Sequence, residues 1–188
     1  MNKFTFEELP LAGAYLISPF YSPDLRGGFI KDYSLETFAQ NGINYELKEV
    51  FYTLSHKGVI RAIHFQRIKQ QPKLVRCISG HVYDVIVDLR KDSPTFKQWL
   101  GFDLTGDNMK EILVPSGFGH GYLVLEESIV SYKCAEKFYS EYDDGILWND
   151  STLGIKWPLD LLKGSPVILA DKDKKLMSFQ QFLSQKND

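Results

Sequence analysis

The sequence predicts an all-β domain, an antiparallel jelly-roll barrel or sandwich with a few short peripheral helices. Three observations predict it. From Asn44 to Tyr132, strand-length runs rich in β-branched and aromatic residues follow one another. Turn signals separate them at His56-Lys57-Gly58, Ser79-Gly80, Lys91-Asp92-Ser93-Pro94, Thr105-Gly106-Asp107-Asn108 and Pro115 to Gly121. No long helical pattern interrupts the series, so the strands bury their apolar faces against a second sheet or in a closed one.

Taken in order, Gly13 to Pro23 (GAYLISPFYSP) reads as a strand ending in a turn, with Pro19 and Pro23 favouring a sheet edge. DLRGGFIKDY follows, a turn at Gly27-Gly28 and an extended segment. SLETFAQNG is a serine-capped short helix stopped by Asn41-Gly42. After Tyr132 the periodicity loosens into a loop that packs through Trp148 and Trp157 and is expected to roof the barrel. Leu176, Phe179 and Phe182, spaced by three, mark a closing helix. No linker, repeat or low-complexity tract divides the chain, so residues 1–188 are read as one domain.

Composition is that of an ordinary globular protein: 188 residues, 44% hydrophobic, 24% charged, with a formal net charge of −2. That balance gives no electrostatic case for nucleic acid or an anionic membrane as partner. Cys77 and Cys134 lie in strand-like runs and form no redox or metal motif, which suits a reducing compartment. The start MNKFTFEELPLAG has no signal pattern and no apolar run approaches a membrane span, so a cytoplasmic location is expected.

The chemistry concentrates between Val59 and Arg90. A period of two on Val59 to Gln66 sets Ile60, Ala62, His64 and Gln66 on one face and Arg61 and Ile63 on the other. His64 is then either a satisfied core residue or a base in a cavity. Lys73 shares a face with Val75 and Cys77, and Asp84 with Val82, Ile86 and Asp88; a Lys73–Asp84 ion pair is the bland alternative. Tyr132 stands with Val130 and Cys134, either a core aromatic or a phenol facing a cavity. In VPSGFGHGYLVL, His120 is expected at the lip of a glycine-shaped turn.

Pro115-x-Gly117-x-x-His120 resembles a motif of cupins, small jelly-roll barrels, many of which bind a metal. No two of the four histidines make a His-x-His pair, so a metal-free barrel is expected, with a three-histidine site from separate strands as the alternative. A base, a cation, a phenol and carboxylates without a nucleophile motif or a Gly-x-Gly-x-x-Gly cradle point to proton abstraction beside a carbonyl.

RAIHFQ, PKLVR, GHVYDVIVDLR, SPTF, VPSGFGHGYLVL, SYKC and ILWND, in this order, resemble the dTDP-4-dehydrorhamnose 3,5-epimerase family from about Asp24 to Asp173. The resemblance implies a cupin-type jelly roll, a homodimer, no cofactor, and epimerisation at C3, C5 or both of a nucleotide-linked 4-keto-6-deoxy sugar through an enolate. It implies His64 as base, Asp173 as its orienting carboxylate, Lys73 at the enolate oxygen and Tyr132 as the acid on the opposite face. For substrate binding it implies Arg26, Phe29, Glu49, Arg61, Gln66, Asp84, His120, Tyr139 and Lys172.

Four departures stand out. Ala62 replaces a glycine and is expected to narrow the site beside His64. In DLRGGFIK an acid becomes Lys31. In EVFYT, Glu49 and Phe51 stand where amides usually meet substrate. KCAEKFYS carries one extra residue. All fall in binding parts, so an intact proton-transfer set acting on an altered substrate is expected. The alternatives are a C3-only epimerase of a cytidine- or guanosine-linked keto-hexose or keto-heptose, or a cupin that binds without turnover.

Overall fold

The computed structural model describes residues 3–185, built on a nine-stranded antiparallel sheet that folds over into two layers. Two long strands, β7 (Lys73–Asp88) and β10 (Phe118–Cys134), pair along most of their lengths and belong to both layers. In one layer β7 continues to β9 (Glu111–Val114), β2 (Tyr15–Ser18) and β1 (Thr5–Glu8), while β5 (Glu49–Ser55) forms the other edge against β10. In the second layer β8 (Trp99–Thr105) lies on β7, and β6 (Ile60–Gln66) and then β11 (Asp143–Gly145) lie on β10. The result is the cupin-like jelly roll expected. β5 and the β6–β11 pair end up facing each other across the opening of the barrel.

Three apolar clusters follow from strand alternation. Val75, Cys77, Val130 and Tyr132 of the first layer meet Val82, Ile86, Tyr122 and Val124 of the second inside the barrel. Leu74, Leu113 and Ile17 pack outward against Phe38, Ile43 and Tyr45. Ile63, Val85, Val87, Leu123 and Leu125 pack outward against Ile146, Leu162 and Phe179. Trp148 and Trp157 belong to this last cluster, with Trp157 Nε1 donating to Trp148 O at 2.7 Å. The segment after Tyr132 therefore covers the outer face of a sheet and does not roof the barrel, because that face carries the unpaired apolar side chains.

Ser79-Gly80 is not a turn. β7 runs through it, with Gly80 at φ +83° and a Cβ there 2.1 Å from Glu127 O, so the glycine lets two bending strands close up. β10 answers with register shifts between Val124 and Val130. Helix α1 (Leu35–Gln40) is capped by Ser34 as expected. Helix α2 (Phe179–Ser184) starts at a Ser178–Gln181 capping box, which leaves Leu176 before the helix. β3 (Phe20–Asp24) and β4 (Gly27–Lys31) make a separate hairpin whose second strand is wholly exposed. No helix among the described residues is long and apolar enough to cross a membrane.

Candidate active site

Strict alternation on β6 fails, and the failure creates the site. Opposite β10, His64 pairs with His120 and Arg61 with Tyr122, so Ala62 and Ile63 together oppose Gly121 alone. Arg61 and His64 thereby share the inner face, whereas Ala62 and Ile63 are both buried in the outer cluster. Ala62 does not stand on the face of the base and adds no methyl group beside it. A Cβ on Gly121 would lie 2.3 Å from Ala62 Cβ and 2.6 Å from Arg61 O, so the bulge requires the glycine.

Around the bulge polar side chains converge from both layers. His64 Nε2 lies 3.2 Å from Oδ1 of Asp173, which is buried in a 3₁₀ turn, Asp173–Lys175, brought back against β6. His120, expected at a turn, is instead inside β10 and buried, because the strand starts at Phe118; its Nε2 is 2.8 Å from Asp84 Oδ2. Asp84 thus pairs with His120 and not with Lys73, and its Oδ1 is buried without a hydrogen-bond partner. Lys73 opens β7 opposite Cys134. Desolvation pulls its ammonium below the usual lysine range, opposed by nearby Cys134, Asp143 and Asp84.

Tyr132 faces this group from the first layer. Burial holds its phenol well above the usual tyrosine range, reinforced by neighbouring Tyr122 and Asp84, with Arg61 opposing. Its ring meets the His120 ring edge-on at 5.8 Å and stacks on Phe51 at 4.8 Å between centroids and 11° between planes. The structure therefore gathers His64, Asp173, His120, Asp84 and Tyr132 into one cluster, with Lys73 near Asp84 and with Arg61 at its edge donating from Nε to Ser55 Oγ at 3.1 Å. Each of the four histidines pairs with one carboxylate, and among the described residues no group of three or more His, Cys, Asp and Glu is placed to hold a metal ion.

The other expected binding residues divide. Gln66 is buried and its amide serves the fold: Nε2 donates to Lys69 O and Lys137 O, and Oε1 accepts from Tyr139 N at 2.7 Å. It fixes the segment that presents the Tyr139 ring, over which Lys69 Nζ sits at 4.4 Å. Glu49 accepts from Phe138 N at 3.0 Å and anchors the same segment. Lys172 reaches Asp143 at 3.1 Å. Arg26 and Phe29 are not brought to this cluster: Arg26 is tied to Asp24 at the hairpin tip, and Phe29 is 58% exposed against Phe20. Lys31 lies on the same hairpin, over Phe20.

Beneath Lys73 and Gln66 a cavity of about 730 Å³ opens between Arg67, Arg90, Phe118 and Tyr142, and a smaller one of about 230 Å³ flanks Arg61 and Asp173. Sequence reasoning missed Tyr122 and Thr53, each two residues from a residue it singled out and so on the same strand face. Nothing local marks Asp143, which only the fold sets near Lys73.

The chain matches the model of the family described as dTDP-4-dehydrorhamnose 3,5-epimerase over residues 8–181. It is 42% identical over 175 residues to the dTDP-4-dehydrorhamnose 3,5-epimerase of Methanothermobacter thermautotrophicus, covering 93% of this chain and 94% of that one. The solved dTDP-4-dehydrorhamnose 3,5-epimerase of Bacillus anthracis, with TDP and PPi bound, gives a TM-score of 0.86 at 41% identity, covering 94% of this chain and 99% of that one. The dTDP-6-deoxy-D-glucose-3,5-epimerase of Legionella pneumophila, in complex with dTDP-4-keto-L-rhamnose, gives 0.89 at 33% identity, covering 95% and 94%.

Proposed function

The chain belongs to the dTDP-4-dehydrorhamnose 3,5-epimerase family, whose members are isomerases, and from that premise we propose that it inverts C3 and C5 of a dTDP-linked 4-keto-6-deoxyhexose without a cofactor. The observation that carries this reading is the His64–Asp173 pair, set in one cluster with Tyr132 and the His120–Asp84 pair, with Lys73 near Asp84. His64 takes the proton from the carbon beside the C4 carbonyl. The electron pair moves to the carbonyl oxygen, where Lys73 donates a hydrogen bond to the enolate. Tyr132, kept protonated by burial, returns a proton from the opposite face, and the centre is inverted. Asp173 holds the imidazole in orientation, and the His120–Asp84 pair supplies donors and acceptors to the sugar.

The relatives of similar length act on dTDP-sugars by name, which supports the thymidine nucleotide. Ala62 gives no ground for a narrowed site, since it faces the outer cluster. A homodimer completes the reading: the exposed hairpin carrying Leu25, Arg26, Phe29 and Ile30, together with Val50, Tyr52 and Leu54 on edge strand β5, offers an apolar surface to a second subunit and the hairpin residues to its cavity. Buried, unpaired Cys77 and Cys134 fit work in the reducing cytoplasm.

The test is incubation in D2O with dTDP-4-keto-6-deoxyglucose, and in parallel with its cytidine and guanosine counterparts, following deuterium by NMR and mass. Incorporation at C3 and C5 with the thymidine sugar is expected. Incorporation at C3 alone limits the enzyme to one centre, a preference for another nucleotide overturns the substrate, and no incorporation with any of them overturns the reading.

A further inference from the structure

Among the described residues the β3–β4 hairpin pairs with no other strand, and β4 is exposed along its whole length. A two-stranded ribbon holds its shape poorly alone. Its direction is therefore set at its base. On the incoming side β2 ends at Ser18 and Pro19 is buried; on the outgoing side Asp32 follows directly on β4, and Tyr33 after it packs on Phe38.

Asp32 reaches back to the barrel. Its Oδ2 accepts from Arg76 Nη1 at 3.1 Å and from Lys133 Nζ at 2.8 Å. These cations stand on the long strands β7 and β10, with side chains only 6% and 10% exposed. The sheet offers them an acceptor of its own. Glu111 stands opposite Arg76 in the β7–β9 ladder and is fully buried, yet it lies 3.9 Å from Lys133 and neither of its carboxylate oxygens has a hydrogen-bond partner. Both cations thus bond the hairpin base in preference to the carboxylate beside them. Such charge-assisted bonds are strong and short, and two of them on one oxygen fix where the chain leaves the sheet.

We propose that Asp32 is a positioning residue of the active site, holding the hairpin at the angle at which Arg26 and Phe29 enter the site of a second subunit. This role rests on the reading of the chain as a homodimer that shares hairpin residues. Asp32 itself touches no substrate. Arg26 lies six residues away, about 20 Å along an extended strand, so a swing of about 10° at the base carries the tip through about 3 Å. That is the difference between a hydrogen bond and none.

The test compares Asp32→Asn and Arg26→Ala with wild type by steady-state kinetics on dTDP-4-keto-6-deoxyglucose, by sedimentation and by amide hydrogen exchange. Asp32→Asn is expected to raise KM about fivefold or more with kcat within about twofold. Exchange of the β3–β4 amides should quicken while β7 and β10 keep their protection. A merely structural ion pair would instead loosen the whole barrel and leave KM unchanged, and that result overturns the positioning role. Arg26→Ala separates the two readings. If it raises KM and Asp32→Asn does not, hairpin sharing stands and the role of Asp32 fails alone. If it leaves KM unchanged, or wild type sediments as a monomer, hairpin sharing fails and the role of Asp32 falls with it. Asp32→Ser decides the matter by the same readouts should Asp32→Asn fold poorly.

Discussion

His64 and Asp173 meet at 3.2 Å although one stands in the middle of the sheet and the other in a 3₁₀ turn near the end of the chain. Asp173 is buried, and removing its charge while keeping its shape should disturb the imidazole without disturbing the fold. Asp173→Asn is expected to lower kcat by roughly 10² to 10⁴ with KM little changed. Steady-state kinetics with dTDP-4-keto-6-deoxyglucose check this, and a rise in KM at constant kcat would reassign Asp173 to substrate binding.

Gly121 and Ala62 form the steric lock of the bulge. Gly121→Ala places a methyl group against backbone that cannot yield, so it should destabilise the protein by about 2–4 kcal/mol and displace His64. Restoring space with Ala62→Gly should recover part of both stability and activity. Chemical denaturation of the two single variants and the double variant measures the coupling, and strict additivity would mean that the two residues do not share one space.

That lock shows how far the sequence could be read. The strands, the serine-capped α1 and the inner positions of Lys73, Asp84 and Tyr132 are legible because a period of two and local capping chemistry are properties of neighbouring residues. The faces of β6 are not legible, since a bulge is set by the partner strand, and alternation puts Ala62 where Arg61 belongs. The long bent β7 and β10 are misread for a similar reason: Gly80 signals a turn locally but meets a strand that bends with it. The pairing of Asp84 with His120, and of Gln66 with the Tyr139 segment, depends on contacts between distant parts of the chain.

Phe51 stacks on Tyr132 where the family resemblance implied an amide. Phe51→Ala should remove about 0.5–1.5 kcal/mol of aromatic contact beyond the lost buried area, and it admits water to the phenol. Burial raises the Tyr132 phenol, so uncovering it lowers that value toward the ordinary one. An acid must be protonated to act, hence the alkaline limb of the rate profile should move to lower pH. A limb that stays in place would show that Phe51 does not shield the acid.

Asp88 is a structural carboxylate. Burial alone would raise its pKa, but hydrogen bonds from Arg90, Ser93 and Thr95 together outweigh that and hold it at about 2. With a folded value below the unfolded one, its contribution to stability is present above about pH 4 and is lost as pH falls toward 2. Asp88→Asn should destabilise the protein by about 2–4 kcal/mol at neutral pH, with the gap to wild type closing in acid. Denaturation midpoints between pH 2 and pH 7 follow the gap, and a constant difference would contradict the charge assignment.

Glu111 has the opposite sign. It is buried on the outer face of β9, with Lys133 at 3.9 Å, and Asp32 of the hairpin base accepts from both Lys133 and Arg76. Desolvation is the largest influence; Lys133 and Arg76 oppose it, Asp32 adds to it, and the carboxyl is pushed up to about 8. Because the folded value exceeds the unfolded one, the contribution of this group is full below about pH 4.5 and declines as pH rises to about 8. Glu111→Gln keeps the shape and removes the titration. Relative to wild type it should gain stability steadily from pH 5 to pH 8 and hold the gain above that. Thermal unfolding of both proteins across this range measures the difference; a gap that shrinks with rising pH would mean that Lys133 and Arg76 keep Glu111 ionised in the fold.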